Sequence, residues 1–237
     1  MHIKGGFEKA KKYIESHSKL GQDKLPQGPC ITISRETGAG SDVVAENLID
    51  FLKSKIKNKE VNWSVFDRNL LEKVIEDHNL PLSLNDYFSA ENRSKFTNMI
   101  NELFGVHPPM WTVIQRMSST ILNIAQVGYV VIVGRGSNII TAKLKNSIHV
   151  RLVANLEDRI KHIQEHYSIG RKEAIEFIKK EDLSRKNYVL NNFKKQIDDP
   201  LLYNLIINTS LVSYKDTAEI IGNYVIKRFP ELFEISL

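Results

Sequence analysis

The chain has 237 residues, 42% of them hydrophobic and 26% charged, a globular balance from which a sizeable core can form. Lys and Arg number 33 against 28 Asp and Glu, giving a formal charge of +5 that suits an anionic ligand, either nucleotide phosphates or nucleic acid. One cysteine, Cys30, excludes an intramolecular disulfide, no apolar run reaches the ~18 residues of a membrane span, and Met1–Gly6 lacks the apolar core of a signal peptide, so a reducing cytoplasm is the expected setting.

Residues 1–28 read as a short amphipathic helix over 7–17 and a polar linker with Gly21, Pro26 and Gly28. Packing of that helix on the core and packing against a second subunit are both open, so a homo-oligomer is one option. Pro29–Ser34 reads as a strand that runs into Gly38-Ala39-Gly40 and then a helix from Asp42 to about Lys57, with Val43, Val44, Leu48, Phe51, Leu52 and Ile56 at helical spacing. Val61–Phe66 predicts a second strand, and Leu70–Asp77 begins a helix. Residues 79–110 read as an inserted lobe, irregular and helical by turns and punctuated by Pro81, Pro108 and Pro109, and Met110–Gln126 reads as a long helix stopped by Gly128. Tyr129–Val133 is an uninterrupted apolar strand of the kind that parallel sheets bury on both faces. Ile148–Val153 and Leu205–Thr209 supply two more strands. Helices are expected around Leu156–His166, over the charged stretch Arg171–Gln196, and over Lys215–Phe229, leaving 230–237 as a C-terminal tail. Five strands alternating with helices predict an α/β, doubly wound parallel sheet, which binds ligands at the carboxyl ends of its strands.

Four clusters fall at such ends or in the charged stretch. Ser34–Ser41 links a strand to a helix through glycines, which aims backbone N–H groups and a helix dipole at an anion. The phosphate-loop pattern G-x-x-x-x-G-K-[ST] is not met, because Arg35 stands at its first glycine, Ser41 at its lysine and Asp42 or Val43 at its hydroxyl. The segment therefore reads equally as a phosphate loop or as a plain turn. Asp67, in Phe66-Asp67-Arg68, can face Mg²⁺ or an acceptor hydroxyl, or can simply cap the following helix. Arg135, between Gly134 and Gly136, suits a phosphate through its planar guanidinium, ahead of a structural ion pair. The stretch holding Arg159, Arg171, Arg185, Lys186 and Tyr188 suits a basic lid around a migrating phosphoryl group; most of its charges are expected on a solvated helix face, with Arg185 the exception. His162 and His166 stand four apart on a helix, a spacing compatible with a metal but more often incidental.

In this order the clusters resemble those of the cytidylate kinase-like family, a branch of the P-loop nucleoside monophosphate kinases. The resemblance rests on Ile31–Glu36 with the glycine loop, Phe66–Leu71, Val131–Gly136, Val150–Ala154 followed by Leu156–Ile160, and Asp199–Leu205 with Asn208-Thr209, and spans roughly residues 29–229. It implies a P-loop kinase core, an acceptor-binding lobe over 78–125 and a lid over 165–195. It implies ATP and Mg²⁺ as cofactors and phosphoryl transfer to a nucleoside monophosphate, CMP or dCMP in the name-giving enzymes, or to a related small metabolite. By position, Arg35, Thr37, Gly38, Ala39, Gly40, Ser41, Asp42, Arg68 and Arg159 would bind the nucleotide. Arg135, Arg185 and Asp67 would act on the transferring and acceptor groups, with Asp67 at the metal. Two positions depart from true cytidylate kinases: Ser41 stands where they have the loop lysine, and Gly136 where they place an aspartate after Gly-Arg. These departures leave a catalytically weak or inactive nucleotide-binding, regulatory protein as the alternative. No basic stripe interleaved with aromatics supports a nucleic-acid partner.

Overall fold

The computed structural model describes residue 13, residues 27–67 and residues 111–234. The expected helices at 7–17 and 70–77 and most of the 78–125 lobe fall outside them, apart from Tyr13. The strands are β1 (Cys30–Arg35), β2 (Ser64–Phe66), β3 (Val130–Val133), β4 (Ser147–Val153) and β5 (Leu205–Asn208). They form one five-stranded sheet in the order β2-β3-β1-β4-β5. The pairs β2·β3 and β4·β5 are parallel, with Phe66 opposite Ile132 and Val153 opposite Asn208. The helices are α1 (Ser41–Lys55), α2 (Trp111–Val127), the single turn α3 (Ser137–Ile140), α4 (Leu156–Tyr167), α5 (Arg171–Phe193) and α6 (Tyr214–Arg228). Each expected element within the described residues is present, with ends shifted by a few positions. Among the described residues no helix is long and apolar enough to cross a membrane.

The chain divides into two compact units, and each has its own packing. In the first (1–31, 60–133 and 139–147), Val130, Val131 and Ile132 are fully buried, which explains why β3 lacks the alternation of a one-faced strand. Tyr13 is buried there: its ring meets Phe66 edge-on at 5.6 Å and its hydroxyl donates to the Gly128 carbonyl. This residue of the N-terminal segment therefore packs on the protein's own core. Asn146 Nδ2 donates to the carbonyls of Gly28 and Ala125 at 2.7 and 2.8 Å, tying the start of β1 to the end of α2.

In the second unit (32–59, 134–138 and 148–237), Val44, Leu48 and Leu52 of α1 are fully buried, as are Ile221 and Val225 of α6. Gly222 lets α6 approach α1, since a Cβ there would lie 2.3 Å from the Phe51 ring. The C-terminal residues, where described, continue this packing: Phe233 is fully buried and bridges to Ile56. Helix α5 is the 23-residue core of the charged stretch. Ala174 and Ile178 pack with Ile160 and Ile163 of α4, while Val189 and Phe193 are buried near its other end. Each of the Ile, Val and Phe side chains contributes about 1.5–3 kcal/mol when fully buried. The inward stripe thus runs 174, 178, 182, 185, 189, 193, steps of three and four that keep one helical face. Two of its six members are charged, Asp182 and Arg185.

Candidate functional site: an arginine-lined loop

The loop after β1 is built by its glycines. Gly38 has φ 85°, and a Cβ on it would lie 2.6 Å from the Arg159 carbonyl oxygen. Gly40 has φ 73°, and a Cβ there would strike the Tyr214 ring at 2.3 Å. Both need a residue that tolerates the left-handed region without a side chain. Gly40 caps α1 and supplies no side-chain oxygen, and its carbonyl accepts from Val44 N–H at 3.0 Å. Ala39 is fully buried, with its N–H on the Glu36 carbonyl at 3.3 Å. Ser41 and Asp42 open α1, so the position of the loop lysine is the first helical residue and carries a hydroxyl instead of a cation.

The loop is fastened to α4 and α5 by ions. Glu36 Oε2 accepts the Ala154 N–H at 3.0 Å and lies 3.3 Å from the Arg159 guanidinium. Arg159 Nε donates to the Thr37 carbonyl at 2.8 Å, and its Nη2 pairs with Asp182. Asp182 Oδ1 accepts the Thr37 N–H at 2.8 Å and the Thr37 hydroxyl at 2.6 Å. Arg185 donates to the Thr37 hydroxyl and lies 3.3 Å from Asp182 and 3.2 Å from Glu181. Burial draws the Arg185 guanidinium below its usual value, and Glu181 and Asp182 oppose that shift. One carboxylate therefore receives a loop amide, a hydroxyl and two guanidiniums. These are the donors that a phosphoryl oxygen would take, since they combine an N–H aimed out of a strand-to-helix loop with planar cations.

Beside this knot lies a cavity of about 280 Å³ lined by Arg35, Glu36, Arg151, Asp182, Arg185 and Lys186, among others. Its size approaches the low end of the ~300–1,000 Å³ typical of small-molecule sites. Arg151 is buried although it sits in the middle of β4; it donates to Ser34 Oγ at 3.2 Å, pairs with Asp198 at 2.5 Å, and lies over the Tyr203 ring. Tyr203 in turn donates to the Ile197 carbonyl at 2.7 Å.

Gly134-Arg135-Gly136 follows β3 with all three residues at positive φ, 82°, 58° and 68°. A Cβ on Gly134 would lie 2.1 Å from Arg35 Nη1, so the Arg35 guanidinium rests against this turn. Arg135 lies over the Tyr188 ring at 5.6 Å, a cation–π contact, and Tyr188 meets Phe193 edge-on at 6.0 Å. A Cβ on Gly136 would strike Phe193 at 2.4 Å, so the ring of α5 fills the space that a side chain at 136 would need.

The second unit thus holds Arg35, Thr37, Gly38, Ala39, Gly40, Ser41, Asp42, Arg135, Arg159 and Arg185. Thr37, Arg159 and Arg185 meet directly, and Arg135 is tied to the same helix through Tyr188. Asp67 follows β2 in the first unit, and Arg68 lies outside the described residues. Arg151, Asp182, Asp198 and Tyr203 were not expected as site residues. A charge inside the apolar strand IHVRLV and a carboxylate on the apolar stripe of α5 are the signals that point to the first two.

Comparison with known proteins follows the same segments. The model of the cytidylate kinase-like family matches residues 30–211. No curated protein matches. The crystal structure of an uncharacterized protein from Eubacterium ventriosum superposes with a TM-score of 0.65 at 22% identity, covering 85% of this chain and 99% of that one. It supports the fold. The shikimate kinase structure from Bacteroides thetaiotaomicron gives a TM-score of 0.42 at 12% identity, covering 86% of this chain and 99% of that one, a likeness too remote to carry an argument.

Proposed function

Because the chain belongs to the cytidylate kinase-like family, we propose that it binds a nucleotide at the loop of residues 34–41 and transfers a phosphoryl group from ATP to a nucleoside monophosphate of the CMP or dCMP kind, or to a related small metabolite. The observation that carries this reading is the convergence of the Thr37 N–H, Arg159 and Arg185 on one anionic group. Phosphoryl transfer asks chiefly for positioning and for cations around equatorial oxygens, and this cluster offers both.

The residues fit a phosphate better than they fit the usual loop lysine. Ser41 brings no charge, and the cations come from α4 and α5. Arg159 and Arg185 would hold the donor phosphates, with Arg35, Arg135 and Arg151 facing further anionic groups of the substrates. Asp67 belongs to the proposal as the carboxylate that the family pattern sets at the metal and acceptor. Mg²⁺ bound with ATP would neutralise charge on the phosphates. A cation that stabilises only the transition state is worth about 3–4 kcal/mol, so α4 and α5 must recover that much for turnover at ordinary kinase rates.

A second reading is favoured by one contact. Phe193 occupies the space beside Gly136, where true cytidylate kinases place an aspartate, and leaves no room there for a side chain. On this reading the protein binds a nucleotide with little or no turnover. A thermal-shift screen of nucleotides with and without Mg²⁺, followed by ADP release with a panel of nucleoside monophosphates, separates the two readings. Stabilisation by ATP with ADP release supports the kinase, and stabilisation without release supports the binding protein. No stabilisation by any nucleotide refutes both.

A further inference from the structure

From residues outside the arginine cluster we infer that Asp42, His162 and His166 form a binding site for a divalent transition ion of the zinc class. The inference is independent of the kinase proposal. His162 and His166 are one turn apart on α4 and their rings stack at 5.9 Å between centroids. Asp42, from the first turn of α1, brings Oδ2 to 3.8 Å from His166 Nδ1. One donor atom from each of the three lies within 4.8 Å of the others. Two donors around a zinc-type ion with bonds near 2.1 Å stand roughly 3.4 Å apart, so side-chain rotation alone closes the site.

The surroundings suit a cation. Tyr214 Oη lies 3.3 Å from His162 Nδ1. With Nδ1–H donated to that oxygen, Nε2 is the ring nitrogen left to ligate, the usual way a second group orients a metal-binding imidazole. The His166 and Asp42 side chains are 21% and 41% exposed, which gives an ion a path in and leaves positions for water.

Two imidazoles and one carboxylate select Zn²⁺, Co²⁺, Ni²⁺ or Fe²⁺ over Mg²⁺, which prefers oxygen ligands. The site is therefore distinct from one for the Mg²⁺ of a nucleotide. A bound ion would tie the first turn of α1, directly after Gly40, to α4, and so fix the end of the loop.

The test uses the full chain without a histidine tag, stripped with a chelator and titrated with Co²⁺. The expected result is one equivalent bound, with visible d–d absorption that Zn²⁺ abolishes and excess Mg²⁺ does not. Binding is expected to disappear in His162→Gln/His166→Gln and to weaken at least tenfold in Asp42→Asn. On the native protein, proton spectra with Co²⁺ should show two hyperfine-shifted imidazole N–H signals, a readout that needs no variant to fold. Absence of cobalt absorption, retained binding in the double variant, full affinity in Asp42→Asn, or fewer than two shifted imidazole signals would each overturn the inference.

Discussion

Asp182 accepts from Thr37 twice, taking the loop N–H at 2.8 Å and the hydroxyl at 2.6 Å on the same carboxylate oxygen. With Arg159 and Arg185 paired to it, this carboxylate competes with any anion that approaches the Thr37 amide. Replacing Asp182 by Asn keeps the shape and removes the charge. Inorganic pyrophosphate should then bind about tenfold more tightly than to the native chain, a gain of about 1.4 kcal/mol. Calorimetric titration checks this, and weaker binding in the variant would mean that Asp182 supports the anion site instead of filling it.

Gly136 sets a limit on placing there the aspartate of true cytidylate kinases. Its φ of 68° and the Phe193 ring 2.4 Å from a would-be Cβ both oppose a side chain. Gly136→Asp should lower stability by at least the ~1–2 kcal/mol of a left-handed non-glycine residue, read by urea unfolding. Unchanged stability would show that Phe193 yields without loss.

His149 makes stability depend on pH. Burial lowers its pKa from 6.5 to about 4, and its Nδ1 lies 2.9 Å from Thr32 Oγ1. The unfolded chain binds this proton more readily, so the contribution is complete above about pH 6.5 and is lost as pH falls toward 4. The full loss is about 3 kcal/mol. Unfolding free energies measured between pH 4 and 7 should slope accordingly, and His149→Gln should flatten that part of the curve. An unchanged slope in the variant would assign the dependence to other groups.

Cys30 is fully buried at the start of β1, and burial pushes its thiol up to about 12. A thiol held protonated is a poor nucleophile. Ellman's reagent should therefore react with it only after denaturant is added; fast reaction in native buffer would show that this strand opens readily.

The legible parts of the sequence were those in which one period or one motif dominates. The apolar run at Val130–Val133, the glycine loop and the alternation of strands and helices announced the sheet because each is a local signal. Arg159 and Arg185 were legible as cations near the loop, but their partner was not. Asp182 looks like one more charge in a stretch rich in Lys and Glu, and it stands out only when the stripe 174–178–182–185–189–193 is traced as one inward helical face, buried at its four apolar positions. Arg151 was hidden for a related reason. A buried guanidinium in a strand requires Ser34, Asp198 and Tyr203, which come from distant segments. The role of Gly136 depends on Phe193, 57 positions away by the sequence numbering, so the missing aspartate was visible and its steric cause was not.

The phosphate site proposed at the loop joins Thr37, Arg159 and Arg185. Calorimetric titration of ATP–Mg²⁺ into the native chain and into Arg185→Met tests it most directly. Arg185 is half-buried at one end of the cluster, and Met keeps much of its bulk, so the variant is expected to keep its far-ultraviolet circular dichroism. Saturable binding to the native protein and at least tenfold weaker binding to the variant are expected. Equal affinity in the two, or no binding by the native chain, would contradict it.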